Sequence, residues 1–186
     1  MVYIQAMNDL ARAILNKGIA ISKTDTLYGV LGLASSKEVI QRIYKVKKRD
    51  LSKPLIVLIS HINQLKDFGA ILNPHIINTL KQYWPGPYTF ILNVEDTKFF
   101  EYLHRGTKTI AFRLPDDEYL CSVIDVTGPL VAPSANIQGS TPAANISMAQ
   151  EYFRDTVDYY DDRGTCVNTK PSHIFSFKDG EMMKVR

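Results

Sequence analysis

"YKVKKRDLSKPLIVLI", Tyr44 to Ile59, joins a cationic cluster directly to an apolar run. Lys45, Lys47, Lys48, Arg49 and Lys53 stand ahead of "PLIVLI", with Asp50 among them. An unbroken apolar run of this kind fits a strand covered on both faces, so a sheet with helices on either side is expected. The charges have two readings. They can be a solvated helix end, where cations meet the negative pole of the helix dipole, or a binding site for a polyanion.

On the N-terminal side, Asn8 or Asp9 can cap a helix with Leu10, Ala11, Ala13 and Ile14 on one face, ending at Gly18. "IAIS", residues 19–22, reads as a strand, "SKTDTLYG" as a polar loop and "VLGLAS" as a second extended piece. Ser35 and Glu38 have capping-box spacing and open a helix with Val39, Ile40, Ile43 and Tyr44 inward. That helix carries the basic cluster at its end. Beyond the apolar run, helices are expected near 61–67 and 74–82, then the turn "WPGP" and the strands "YTFILNV" and "KTIAFRL". A helix over about 117–125 leads to "PLVAPSAN"; a helix near 147–153 and short strands at about 157–160, 173–177 and 182–185 complete the chain. Helices and strands mix without strict alternation. The expected fold is therefore α/β, a single domain over residues 1–186 with an open twisted mixed sheet flanked by helices. No GxGxxG or GxxxxGK[ST] loop follows a strand, which argues against a doubly wound nucleotide fold.

Composition narrows the partners. A net charge of +3 permits an anionic ligand without demanding nucleic acid, because a few local cations can serve one nucleotide. Cys121 and Cys166 have no CxxC spacing and no nearby histidine, so buried, reduced thiols are expected. His61, His75, His104 and His173 are scattered, and no metal held by protein ligands is expected. The N-terminal "MVYIQAMNDLARAILNKG" lacks the apolar core of a leader, and no segment is long enough for a membrane span, so the expected location is cytoplasmic.

Sites in open α/β sheets collect at strand ends. The polar pieces there are "TDTLYG" (Thr24–Gly29), the "KKR" of Lys47–Arg49, Arg113 at the end of "TIAFR", and "PSAN" (Pro133–Asn136). Each has a structural alternative. "TDT" can close a turn, Arg113 can pair with Asp116 or Asp117, and "SAN" can cap a helix.

Taken in order, these pieces resemble the YrdC-like family and its threonylcarbamoyl-AMP synthases. The family pattern T-[DE]-T-x-Y-G is matched by "TDTLYG", and K-x-R ahead of P-L-I-V by Lys47 and Arg49 before "PLIVLI". "WPGPYTFIL", "AFRLP", the S-x-N of "APSANIQG" and the tail "PSHIFSF…MMKVR" follow in the family's order, from Ile19 to Arg186. No counterpart of the C-terminal domain of the longer members is expected. Lys23 stands where the family has proline, Asp50 likewise, Leu58 where many members have histidine, and "GSTPAAN" is a loose version of a Ser-Pro-Thr segment.

The resemblance implies a twisted sheet around a positively charged cavity. It implies an enzyme that joins L-threonine, bicarbonate or CO₂, and ATP into threonylcarbamoyl-AMP and pyrophosphate. The product serves adenosine 37 of tRNAs reading codons that begin with A, through a downstream tRNA threonylcarbamoyltransferase complex. By the same resemblance, Lys47 and Arg49 are the catalytic, phosphate-binding pair. Arg49, Lys53, Thr109, Asn136 and Arg186 contact ATP; Thr26, Arg113, Ser134 and Ser172 hold threonine. Mg²⁺ is expected, held mainly by the phosphates. Two other readings stay open: an RNA-binding module, since a basic concavity also supports weak RNA binding, and a paralogue making a different acyl-adenylate.

Overall fold

The computed structural model describes residues 8–95, 98–167, 170–178 and 180–186. The first part of the N-terminal stretch on which the leader reading rests lies outside them. The first helix, α1 (Asp9–Leu15), starts at Asn8, whose side chain accepts from the Ala11 amide, and buries Leu10, Ala11 and Ile14. The strands β1 (Ala20–Lys23) and β2 (Tyr28–Leu33) then pair antiparallel across the "TDTL" turn.

The second helix, α2 (Lys37–Val46), is capped by Ser36, not Ser35; the Ser36 hydroxyl accepts from the Val39 amide at 3.3 Å. That start turns Val39, Ile40, Ile43 and Tyr44 inward as the pattern required. Gly32 on β2 lets the helix close down, since a Cβ there would run into Val39 and Ile43. β3 (Ile56–Leu58) follows, then a 3₁₀ segment over Ile62–Phe68 and α3 (Pro74–Tyr83). Next come β4 (Tyr88–Asn93), a short α4 (Glu101–His104) that the sequence pattern did not suggest, and β5 (Thr109–Arg113). The remainder is α5 (Glu118–Thr127), β6 (Leu130–Val131), α6 (Ile146–Phe153), β7 (Tyr159–Asp161), β8 (His173–Lys178) and β9 (Glu181–Lys184).

The strands form one mixed sheet in the order β7-β1-β2-β6-β3-β5-β4-β8-β9. β3 lies near its middle, parallel to β5 and antiparallel to β6. Each face carries its own core. Val57, Phe90, Phe112 and Val131 join Ile40, Ile43 and Leu80 on one side; Leu31, Leu58 and Leu130 join Leu10, Ile14, Leu120 and Ile124 on the other. Alternate residues of "PLIVLI" thus enter opposite cores, which is why that run has no polar face. Burying each such side chain contributes about 1.5–3 kcal/mol. No helix of the described residues is long and apolar enough to cross a membrane.

Candidate active site

A cavity of about 220 Å³ opens where the "TDTLYG" turn, the segment after α2, the end of β5, the "PSAN" loop and the C-terminal tail meet. Its polar wall includes Thr26, Arg49, Arg113, Ser134, Ser172 and Arg186. Elements far apart in sequence deliver them. The register Leu58↔Arg113 sets Arg113 beside the end of β3. Parallel pairing of β8 with β4 brings up Ser172, and the β8–β9 hairpin returns the chain so that Arg186 Nη2 reaches the Ser172 carbonyl at 3.2 Å.

Arg113 is 4% exposed and is gripped by the turn after β1. Its Nη1 donates to Thr26 Oγ1 at 2.8 Å, its Nη2 to Thr24 Oγ1 at 3.3 Å, and Nη2 lies 3.2 Å from Asp25 Oδ1. Thr24 Oγ1 also accepts from the amides of Thr26 and Leu27, so the turn-closing role and the binding role coexist in "TDT". Burial pushes the Asp25 carboxyl above its usual range, and the Arg113 charge opposes that shift. Arg113 Nε is shut off from solvent with no hydrogen-bond partner among the described residues. A buried charged donor left unpaired is costly.

The opposite wall is built differently. Arg49 lines the cavity and is fixed by its own loop, donating from Nε to the Lys53 carbonyl at 3.3 Å and from Nη2 to the Pro54 carbonyl at 3.0 Å. Lys47 does not reach the cavity. It is 2% exposed, and its ammonium donates to the carbonyls of Ser134 and, at 2.6 Å, Asn136. The Asn136 side chain accepts from Ser134 Oγ at 2.7 Å. The loop is further tied to β2, where the Val30 amide donates to the Pro133 carbonyl and the Ala135 amide to the Tyr28 carbonyl. "SAN" is therefore not a helix cap. Burial, with Arg49 nearby, brings the Lys47 ammonium down to about 7.

The basic cluster thus divides. Arg49 faces the cavity, Lys47 holds a loop, and Lys45, Lys48 and Lys53 are exposed as on an ordinary helix end. Among the residues assigned to ATP, Lys53 contributes its carbonyl rather than its ammonium to this wall. Thr109 shares a face of β5 with Ala111 and Arg113, lies about 13 Å along the strand from Arg113 at the usual rise, and bonds to Thr107 rather than lining the cavity. Asn136 acts through Ser134. The residue-by-residue assignment left out Thr24 and Asp25, which orient Arg113, and Tyr28, although all three lie in the candidate piece "TDTLYG"; it also left out Pro142 and Pro171, which with Tyr28 form apolar wall. "TDT" carried the first signal; the prolines carried none.

Leu58 is fully buried in the core against α5, so the histidine position of many relatives is packing here. Cys121 and Cys166 are free but half-buried rather than buried. Burial and the nearby Asp125 and Asp117 push the Cys121 thiol up to about 11, the wrong direction for a nucleophile.

Comparison with known proteins bears on this arrangement. The Sua5/YciO/YrdC family, described as telomere recombination, matches residues 12–186. The chain belongs to that family. Among Sua5/YciO/YrdC proteins, one of Methanocaldococcus jannaschii is 30% identical over 181 residues, 95% of this chain and 83% of its own. The threonylcarbamoyl-AMP synthase of Marinobacter nauticus is 27% identical over 177 residues, covering 94% and 93%. In other relatives the match is to a part: the chain spans 38% of the threonylcarbamoyl-AMP synthase of Bacillus subtilis, at 33% identity over 69% of its own length. The crystal structure of Pyrococcus abyssi Sua5 complexed with L-threonine superposes with a TM-score of 0.85 at 25% identity, over 95% of this chain and 52% of that one. Escherichia coli YciO shares the fold, with a TM-score of 0.83 at 21% identity over 97% and 87%.

Proposed function

We propose that the protein is a threonylcarbamoyl-AMP synthase, an enzyme joining L-threonine, bicarbonate or CO₂, and ATP, and releasing pyrophosphate. The observation that carries the reading is a cavity walled by three arginines, buried Arg113 with Arg49 and Arg186, beside the hydroxyls of Thr26, Ser134 and Ser172. A guanidinium fixed through both Nη atoms by Thr24, Asp25 and Thr26 sets a permanent positive charge in the cavity wall, which suits a carboxylate. Relatives of matching length that bear the synthase name support the same reading.

Threonine's carboxylate takes Arg113, with the hydroxyls of Thr26, Ser134 and Ser172 around it. Its amine adds to CO₂, losing a proton, and gives a carbamate. A carbamate oxygen attacks the α-phosphorus of ATP, the bond to the β-phosphate oxygen breaks, and pyrophosphate leaves. Negative charge grows on that leaving group, so fixed cations matter more than an acid–base pair. Arg49 and Arg186 supply them, and Lys47 keeps the Ser134–Asn136 loop in place.

The cavity wall presents cations and hydroxyls, and the adjacent carboxylate of Asp25 is committed to Arg113. These residues do not fit a protein-held metal; Mg²⁺ would travel with the ATP phosphates. The product is passed, in the cytoplasm, to a transferase that modifies adenosine 37 of tRNAs.

The test is pyrophosphate release from ATP by the full chain, with and without threonine and bicarbonate, with serine as control. Release requiring both co-substrates is expected. ATP binding without such release would favour a paralogue making another acyl-adenylate, and absence of nucleotide binding would overturn the reading.

A further inference from the structure

Arg49 follows a sharp change of direction in the chain. Lys48, one position past the cap of α2, is left-handed at φ 48, where glycine or asparagine is the ordinary choice. The Arg49 amide closes the helix end by donating to the Tyr44 carbonyl at 2.9 Å. The peptide group on the N-terminal side of Arg49 is thereby fixed.

The peptide group on its other side is fixed from the loop that carries "PSAN". The Asp50 amide donates to Gln138 Oε1 at 2.9 Å, and the Gln138 amide donates to the Lys47 carbonyl at 3.0 Å. Gln138 is exposed and stands outside the cavity wall. Two residues earlier, Asn136 Nδ2 donates to the Ile137 and Ser140 carbonyls at 3.1 and 2.9 Å, which holds the turn that presents Gln138. These contacts close a circuit. The Lys47 ammonium grips the loop at Ser134 and Asn136, and through Gln138 the loop grips the Lys47 carbonyl and the Asp50 amide in return.

Peptide groups are planar, so pinning the two that flank Arg49 restrains its φ and ψ and sets the direction of its Cα–Cβ bond. The Lys53 and Pro54 carbonyls then aim the guanidinium. Asp50 stands where the family pattern has proline. A proline would restrain the backbone through its ring and offer no N–H. Here the N–H is present, and Gln138 takes it.

We propose that Gln138 is a positioning residue for the reaction: its side-chain carbonyl braces the backbone behind Arg49 and so aims that guanidinium at the phosphates of ATP. The role rests on the synthase reading, in which Arg49 is a phosphate-binding cation. Misplacing such a group by about 1 Å can cost on the order of 100-fold in rate.

The experiment compares the full chain with Gln138→Met, which keeps the side-chain length, removes the acceptor and leaves the backbone bond to Lys47. The ATP requirement is read twice, as KM in pyrophosphate release and as affinity in a calorimetric titration with ATP and Mg²⁺. Gln138→Met is expected to raise the requirement for ATP about five- to tenfold and that for threonine less than about twofold. The thermal midpoint stays with the wild type because Gln138 is exposed, and the Asp50 amide exchanges its hydrogen several-fold faster by NMR. Asp50→Pro supplies the control: with no N–H to accept, adding Gln138→Met to it changes the ATP requirement no further. Arg49→Ala separates this role from the reading it rests on. Unchanged ATP use in Arg49→Ala would remove the phosphate role itself, whereas lost turnover in Arg49→Ala with Gln138→Met silent would overturn the brace alone. Equal rises for ATP and threonine, or an undiminished effect in the Asp50→Pro chain, would also overturn it, because Gln138 would then act on the loop as a whole and not through the Asp50 amide.

Discussion

Two buried cations support the Sua5/YciO/YrdC cavity, and they are used in opposite ways. Arg113 is clamped by Thr24, Asp25 and Thr26 and still has a donor unmet. Lys47 spends its ammonium on the carbonyls of Ser134 and Asn136 and presents nothing to the cavity. One wall is a charge prepared for a ligand; the other is a backbone loop held by a charge. Residue type alone does not separate these roles. What separates them is whether the acceptors already present exhaust the donors.

The largest expected effect tests the first wall. Arg113→Met removes the cavity's buried donor and strands Asp25 without its cation, costing about 3–5 kcal/mol of stability. Chemical denaturation reads this, and Asp25→Asn in the same chain is expected to recover part of the stability without restoring threonine-dependent turnover. A melt like that of the wild type would contradict the clamp.

The second wall gives a smaller loss of stability. Lys47→Met leaves two loop carbonyls short of a donor, at about 1–3 kcal/mol, and raises the requirements for both threonine and ATP. Arg49→Ala is the control across the cavity: turnover is lost while the denaturation midpoint barely moves. If the two variants lost turnover alike at unchanged stability, Lys47 would belong with the phosphate ligands after all.

The pH dependence of that difference is smaller again. The folded chain holds Lys47 near 7, below its usual 10.5. Between those values the unfolded chain binds the extra proton, so stability rises with pH. The penalty for burying the ammonium is fully present below about 7 and is relieved as pH climbs toward 10.5. The wild type should therefore gain on Lys47→Met from pH 7 upward in paired thermal melts; a constant gap would mean that the group does not titrate in this window. The smallest effect belongs to Ser134→Ala, which removes a hydroxyl worth about 0.5–1.5 kcal/mol. It should raise the threonine requirement several-fold and the ATP requirement less; equal changes would mean that Ser134 serves both ligands.

Much of this was legible in the chain. The apolar alternation, Asn8 as a cap, the inward face of α2 and the strand "PLIVLI" follow from local chemistry that any segment carries with it. So do the turn "TDT" and the cluster of cations. The capping residue of α2 was off by one position because Ser35 and Ser36 offer the same hydroxyl, and only the burial of Val39 and Ile43 selects between them. The divided use of the cluster was not legible. Lys47, Arg49 and Lys53 read alike in sequence, yet a buried amine, a cavity guanidinium and an exposed side chain result from where the "PSAN" loop and the 50–53 loop come to rest. Those positions depend on pairings between distant strands, β3 with β5 and β4 with β8, and on a C-terminal tail that brings Arg186 to Ser172. Sequence fixes which groups can carry charge and where the chain can bend. Tertiary structure decides which acceptors each charge meets, and so which cation is left to bind.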